Sequence, residues 1–464
     1  MHIRLALSAL TVVLLLSGFA ASLPRFDAKP KQPNRLPNII LILIDDMGSA
    51  DVGCYRSNSS ASQLPPTPNI DRLAAEGIRF TNYYSAAPIC SPSRVGLTTG
   101  DVPGKWRITS FLADRKHNRT CQQADFLDAS APSVARELKT AGYATAHFGK
   151  WHMGGGRDVD NAPGIRQYGF DEYASTWESP DPDLLLTSTD WIWAKSDSVK
   201  RWNRTAYFVD KTLDFLKRNS GKPCYINLWP DDVHTPWVPD EMTLNEFPKG
   251  TEKPREFKAV LAELDVQIGR LMAGLKALGV DDNTLVVFTS DNGALPTFQG
   301  SRSGTFRGSK LSLYEGGIRM PFIVRYPAQT PKGKVDSLSV LSAVDLLPTF
   351  VSLAGKKGSR SPGDGENRAA VLLGKPGVRK KPLFWEYGRN NESFRYPAGR
   401  DKSPNLAIRE GNWKLLVNDD GSGTELYNLA TDPSEQMDVS GQQPKLVGAM
   451  RPKLLAWRAG LAGE

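Results

Sequence analysis

Four short apolar runs set the architecture of this 464-residue chain. They are Asn38 to Ile44 (NIILILI), Tyr143 to Phe148 (YATAHF), Cys224 to Trp229 (CYINLW) and Thr284 to Thr289 (TLVVFT). The first and last are apolar at nearly every position rather than at alternate ones, the pattern of a strand covered on both faces. Helical stretches lie between them. Val260, Leu261, Leu264, Ile268, Leu271 and Leu275 recur at spacings near three and four and form one apolar stripe. Asn69 to Gly77 reads as a shorter helix, closed by Gly77 in the capping position. This alternation predicts an α/β fold, a large mostly parallel sheet sandwiched by helices.

The length exceeds what one core serves, which predicts a large domain and a smaller one. After Gly355 the segment GKKGSRSPGDGEN lacks apolar periodicity and reads as a boundary. We expect a main domain over 23–375 and a C-terminal α+β subdomain over 376–464, with a small antiparallel sheet and a helix. Strands are expected at Pro382 to Tyr387, Ala407 to Val417 and Glu425 to Leu429, with Asn418 to Gly423 turning the last hairpin and a closing helix over Pro444 to Arg458. At the start, His2 and Arg4 precede an apolar run from Leu5 to Phe19 and the small residues Ala20, Ala21 and Ser22. That is a signal-peptide pattern over 1–22, too short to span a membrane, so a secreted or periplasmic protein with no membrane span is expected. If Cys90 is used chemically, Cys54, Cys121 and Cys224 form at most one disulfide and leave an odd thiol. The net charge of +8 suits an anionic partner but is spread along the chain. No nucleic-acid reader motif accompanies it, so nucleic acid is not expected as a partner.

Polar groups follow every one of the four runs: Asp45 and Asp46 the first, Lys150 and His152 the second, His234 the third, Asp291 and Asn292 the fourth. Ligands of parallel α/β sheets bind beyond the carboxyl ends of the strands, so these residues are predicted to meet in one crevice. Carboxylates packed together without a cation repel one another and take up protons. A divalent ion resolves this, and an oxygen-only set favours calcium or magnesium over zinc, calcium first. The alternative is that Asp45 and Asp291 only cap the helices after their strands. Cys90 opens the segment CSPSRVGLTTG, and Arg94, one helical turn on, places a guanidinium where it stabilises an anion. Taken alone, Cys90 reads first as an ordinary buried thiol.

Those eleven residues match the type I sulfatase signature C-x-P-S-R-x-x-L-x-T-G at Cys90, Pro92, Ser93, Arg94, Leu97, Thr99 and Gly100. The similarity runs on through PNIILILIDDMG, PTPNIDRLAAEGIRFTNYY, GYATAHFGKWHMG, HTPW, SDNG, GSKLSLYEGGIRMPFIVRYP, AIREGNWKLL and ELYNLATDPSE. Nearly the whole mature chain therefore resembles the formylglycine-dependent sulfatases of the alkaline phosphatase superfamily, arylsulfatase A and N-acetylgalactosamine-6-sulfatase relatives above all.

The resemblance implies a sulfuric ester hydrolase acting on a sulfated small molecule or glycan. A separate modifying enzyme would convert Cys90 to formylglycine, whose hydrate attacks sulfur with one hydroxyl and expels sulfate with the other. By the same resemblance Asp45, Asp46, Cys90, Asp291 and Asn292 would bind one calcium ion, Arg94 would hold the diol, and Lys150 and Lys310 would grip sulfate oxygens. His152 would be the base, and His234 with Lys310 would assist departure of the alcohol. Phe148 and Met153 depart from the family's common residues without touching these positions. Trp106 to Asp125, with Trp177, Trp191 and Trp193, either line the substrate subsite or belong to the core. His117, His147 and Glu315 to Arg319 read as structural. Two other readings remain open: a phosphonate or phosphate monoester hydrolase on the same fold, and a non-catalytic sulfated-glycan binding protein.

Overall fold

The computed structural model describes residues 35–56, 64–156, 158–189, 192–247, 255–356, 363–393 and 397–461. The expected signal peptide and Trp191 lie outside them. Residues 36–464 form one compact unit.

The four runs become strands of one sheet, named here in chain order: β1 (Asn38–Ile44), β2 (Ile78–Tyr84), β3 (Ala144–Gly149), β4 (Glu172–Ser175), β5 (Cys224–Trp229), β6 (Thr284–Ser290), β7 (Arg319–Arg325), β8 (Lys334–Asp336) and β9 (Leu341–Ser342). Their order is β4-β3-β5-β1-β6-β7-β2-β8, with β9 also on β2. From β4 to β6 all neighbours are parallel, and β7 runs antiparallel to both β6 and β2. Every residue of β1 is buried. Ile39, Leu41 and Leu43 face one apolar core, and Ile40, Ile42 and Ile44 face the other. Each such side chain contributes roughly 1.5–3 kcal/mol of burial, which explains why the run lacks polar alternation.

Register carries the polar residues together. Ile44 pairs with Ser290 and Gly149 with Trp229, so Asp45, Lys150, Pro230 and Asp291 all leave the sheet at one edge. Gly149 is needed there: its φ is +125°, and a Cβ would come within 2.0 Å of the Trp229 carbonyl.

Two expectations are corrected. Gly77, after the helix Pro68–Ala75, does not adopt a left-handed cap, since the helix closes on Glu76 at φ −88°. Its need for glycine is steric, because a Cβ would meet the Val324 carbonyl of β7 at 2.3 Å. The expected single strand Ala407 to Val417 is two strands, β11 (Leu406–Glu410) and β12 (Trp413–Val417), folded back at Gly411 with φ +57°. With β10 (Leu383–Glu386) and β13 (Glu425–Asn428) they form a separate antiparallel sheet in the order β10-β11-β12-β13.

One face of this second sheet packs on Met450 and Leu454 of the helix Pro444–Ala459. The other face buries Trp385, Ala407, Leu416 and Tyr427 in a cluster that includes Tyr84, Tyr314 and Cys90. An ionic knot fastens it, with Lys414 Nζ 2.9 Å from Glu315 and 2.8 Å from Glu435, all three buried. Glu315 to Arg319 is thus a packing element, as expected. His147 sits among Trp151, Phe170 and Trp229, Trp177 is buried, and all four cysteines are free thiols.

Candidate active site

Cys90 opens the helix Cys90–Thr99, every residue of which is buried, and the helix places its first turn over the carboxyl ends of β1 and β6. The Cys90 sulfur lies 3.5 Å from Asp45 Oδ1 and 3.9 Å from Asp46 Oδ1. Potential ligand atoms of Asp45, Cys90 and Asp291 fall within 4.8 Å of one another, as do those of Asp46, Cys90 and His234. Asn292 donates through Nδ2 to Asp46 Oδ1 at 2.8 Å, while its buried Oδ1 has no protein partner. Asp46 and Asn292, 246 positions apart, thus meet in one crevice, and Lys310, 264 positions from Asp46, joins them.

Arg94, one turn below Cys90, donates from Nε (3.0 Å) and Nη2 (2.7 Å) to Asp291, and Nη2 lies 3.2 Å from Asp45. Its Nη1 donates to the Lys150 carbonyl at 2.8 Å, so the fork is fully engaged. Lys150 Nζ meets Asp45 at 2.8 Å, and Lys310 Nζ meets Asp46 at 2.7 Å. His234 donates from Nδ1 to the Thr235 carbonyl at 2.7 Å, leaving Nε2 to face Asp46 at 3.7 Å. His152 donates from Nε2 to the Leu112 carbonyl at 3.2 Å, and its buried Nδ1 has no partner. Leu112 lies in the Trp106 to Asp125 segment, which the Ser91 hydroxyl also holds by accepting from the Leu112 amide at 3.0 Å. Asp46 and His152 both occupy the left-handed region, at φ +60° and +51°. Each costs of order 1 kcal/mol or more, a strain that the surrounding bonds sustain.

The carboxylates respond unequally. Burial raises all of them, but Lys150, His234 and Arg94 hold Asp45 well below its ordinary range. Burial, opposed by Arg94 and reinforced by Asp45 and Asp46, pushes Asp291 up to about 7. A cluster in which one member cannot ionise freely, beside an orphaned amide oxygen, suits a divalent cation held by oxygen donors. Burial lowers His152 to about 3 and lowers His234, so both rings are neutral near pH 7. Burial also pushes the Cys90 thiol well above its ordinary value, although Lys150 and Lys310 pull it down. As a plain thiol it is protonated and a poor nucleophile.

Residues 37–356 match the family model described as Sulfatase. The chain belongs to the sulfatase family. A second model, N-sulphoglucosamine sulphohydrolase, C-terminal, matches residues 306–459 of this sulfatase. It is 32% identical to the N-acetylgalactosamine-6-sulfatase of Homo sapiens, over 87% of this chain and 81% of that one. It is 28% identical to the N-acetylgalactosamine-6-O-sulfatase of Bacteroides thetaiotaomicron, over 90% and 92% of the two chains. Among solved structures it resembles Ps i-CgsB in complex with k-i-k-neocarrahexaose, with TM-score 0.74, 27% identity and coverage of 92% and 94%. This sulfatase is a hydrolase of sulfate esters.

Three residues at the site escaped the sequence reading. Arg302 donates to the Asp46 carbonyl at 2.8 Å and pairs with Asp51 at 2.8 Å, fixing the loop after β1. Arg201 donates to the His234 carbonyl at 2.9 Å and to Asp231 at 2.8 Å, fixing the loop after β5. Glu178 lies 3.1 Å from Lys150 Nζ. Despite burial, His152 and Lys150 hold it down at about 2. None of the three follows one of the four apolar runs or lies in the Cys90 to Gly100 segment.

Proposed function

We propose that this sulfatase is exported and removes sulfate from sulfated carbohydrate, with Cys90 used as formylglycine above a calcium ion. The observation that carries the reading is what gathers at position 90. Ligand atoms of Asp45 and Asp291, and of Asp46 and His234, fall within 4.8 Å of the Cys90 sulfur, while Lys150 and Lys310 pair with Asp45 and Asp46. Asp45, Asp46, Asp291 and Asn292 would hold the ion, which supplies charge for the nucleophile and the sulfuryl oxygens. The oxidised side chain supplies a hydrated aldehyde, a nucleophile with a second hydroxyl for releasing sulfate.

The chain's own groups do the rest. Arg94 fixes the Asp45 and Asp291 carboxylates beneath position 90. Lys150 and Lys310 present fixed cations to an anion bound there, without reorganisation as charge shifts in the transition state. His152, neutral with an open Nδ1, takes the proton of the spare hydroxyl. The departing alcohol oxygen takes its proton from Nε2 of His234 in the doubly protonated form, with Nδ1–H held by the Thr235 carbonyl and Lys310 as a second donor beside it. The mature chain divides in this reading into a catalytic domain over 23–375 and a C-terminal subdomain over 376–464.

Support for carbohydrate as substrate comes from the relatives, whose names give N-acetylgalactosamine 6-sulfate and a neocarrahexaose complex. Among the described residues no helix is long and apolar enough to cross a membrane. The test is sulfate release from a panel of sulfated mono- and oligosaccharides, beside the matching phosphate esters. Release from at least one sulfated sugar, lost in Cys90→Ala, is expected, and preference for the phosphoryl series would overturn the reading.

A further inference from the structure

Glu178 is the fourth carboxylate of the site and has no part in the signature or in the roles above. Its side chain is 8% exposed and lies 3.1 Å from Lys150 Nζ, with Oε1 3.8 Å from His152 Nε2. Its placement is built in, since the His152 amide donates to the Glu178 carbonyl at 2.8 Å. The two lysines consequently differ. Among the described residues Lys310 Nζ has one carboxylate partner, Asp46 at 2.7 Å, whereas Lys150 Nζ is shared by Asp45 at 2.8 Å and Glu178 at 3.1 Å. Lys150 is already neutralised by Asp45, so a second buried carboxylate is not required to keep it in place.

The consequence is electrostatic. Among its carboxylates, lysines and arginine the site sets Asp45, Asp46, Asp291 and Glu178 against Arg94, Lys150 and Lys310. With a divalent cation held by the three aspartates, these groups and the ion together sum to one surplus positive charge. A sulfate monoester, a monoanion, balances it, and a phosphate monoester, a dianion near neutral pH, exceeds it. Without Glu178 the balance moves toward the dianion.

We propose that Glu178 is a specificity-determining residue that, by cancelling part of the Lys150 charge, selects singly charged sulfate esters over doubly charged phosphate esters. The inference rests on the sulfatase reading of the site. Its test is the kinetics of the calcium-loaded enzyme on 4-nitrophenyl sulfate and 4-nitrophenyl phosphate in wild type, Glu178→Gln and Glu178→Asp. Glu178→Gln keeps the shape and removes the charge, and is expected to raise the phosphate-to-sulfate ratio of kcat/KM by roughly tenfold or more. Glu178→Asp keeps the charge and is expected to hold the ratio near wild type, whereas a merely structural residue would depress both substrates together. Calorimetry of both esters with Cys90→Ala, with and without Glu178→Gln, makes the comparison without turnover, and a selective gain for the phosphate ester is expected. An unchanged ratio in Glu178→Gln, or equal shifts in both variants, overturns the proposal and leaves the sulfatase reading standing. Absence of sulfate release by the wild type overturns that reading and the proposal with it.

Discussion

Asp291→Asn separates proton from cation at the centre of the site. In the folded chain burial, opposed by Arg94 and reinforced by Asp45 and Asp46, brings Asp291 to about 7, against 3.8 for an ordinary aspartate. Between those values the folded chain binds a proton that the unfolded chain does not. The contribution is fully present below pH 3.8 and is lost as pH rises through 7. Roughly three units at about 1.4 kcal/mol each amount to about 4 kcal/mol. Asparagine has no such proton to lose. In chelator, wild type and variant should therefore be of similar stability near pH 4.5, with the variant more stable by up to about 4 kcal/mol at pH 8. Calcium should narrow this gap, because the ionised carboxylate is what the cation takes up. Saturation at about 100 times Kd adds about 2.7 kcal/mol to the protein that binds it, which offsets most of the difference at pH 8. The assay is urea unfolding followed by tryptophan fluorescence, in chelator and in calcium, from pH 4.5 to 8. A difference between wild type and variant that stays flat with pH in chelator would refute the electrostatic argument. Equal stabilisation of both proteins by calcium would remove Asp291 from the ligand set.

His234→Ala should slow turnover by about 10²- to 10⁴-fold for a sugar sulfate, and far less for 4-nitrophenyl sulfate, whose leaving group needs no proton; equal losses on both would contradict its assignment to the leaving group. Lys414→Met should lower stability by about 3 kcal/mol, seen in the unfolding midpoint, because it takes the ion-pair partner from buried Glu435 and leaves Glu315 paired with Arg319. Gly77→Ala should cost about 1–3 kcal/mol, since its methyl group meets the Val324 carbonyl at 2.3 Å. A midpoint unchanged from wild type would show that β7 yields at that point.

The positions of Asp45, Lys150 and Asp291 were legible because a buried parallel strand must be apolar throughout, and the first charged group after it marks its carboxyl end. The register of Ile44 with Ser290 then brings those ends together with no further information. The antiparallel β7 was not legible as such, since MPFIV is as apolar as any parallel strand and direction leaves no trace in composition. β11 and β12 merged in the sequence reading because only Gly411 and Asn412 separate two strands of the same pattern. Glu178, Arg201 and Arg302 act through loops whose conformations depend on distant partners, and local sequence carries no sign of that. Gly77 was placed correctly at a helix end, but its constraint is a neighbouring strand rather than its own dihedral angles.

Everything proposed for the chemistry depends on the state of residue 90, a thiol that burial keeps protonated. Mass spectrometry of the tryptic peptide containing Cys90, from active protein purified from its native host, tests this directly. The account predicts an aldehyde in place of the thiol, trapped by hydrazine reagents, in proportion to specific activity. Full sulfate-releasing activity from protein in which Cys90 is wholly unmodified would contradict it.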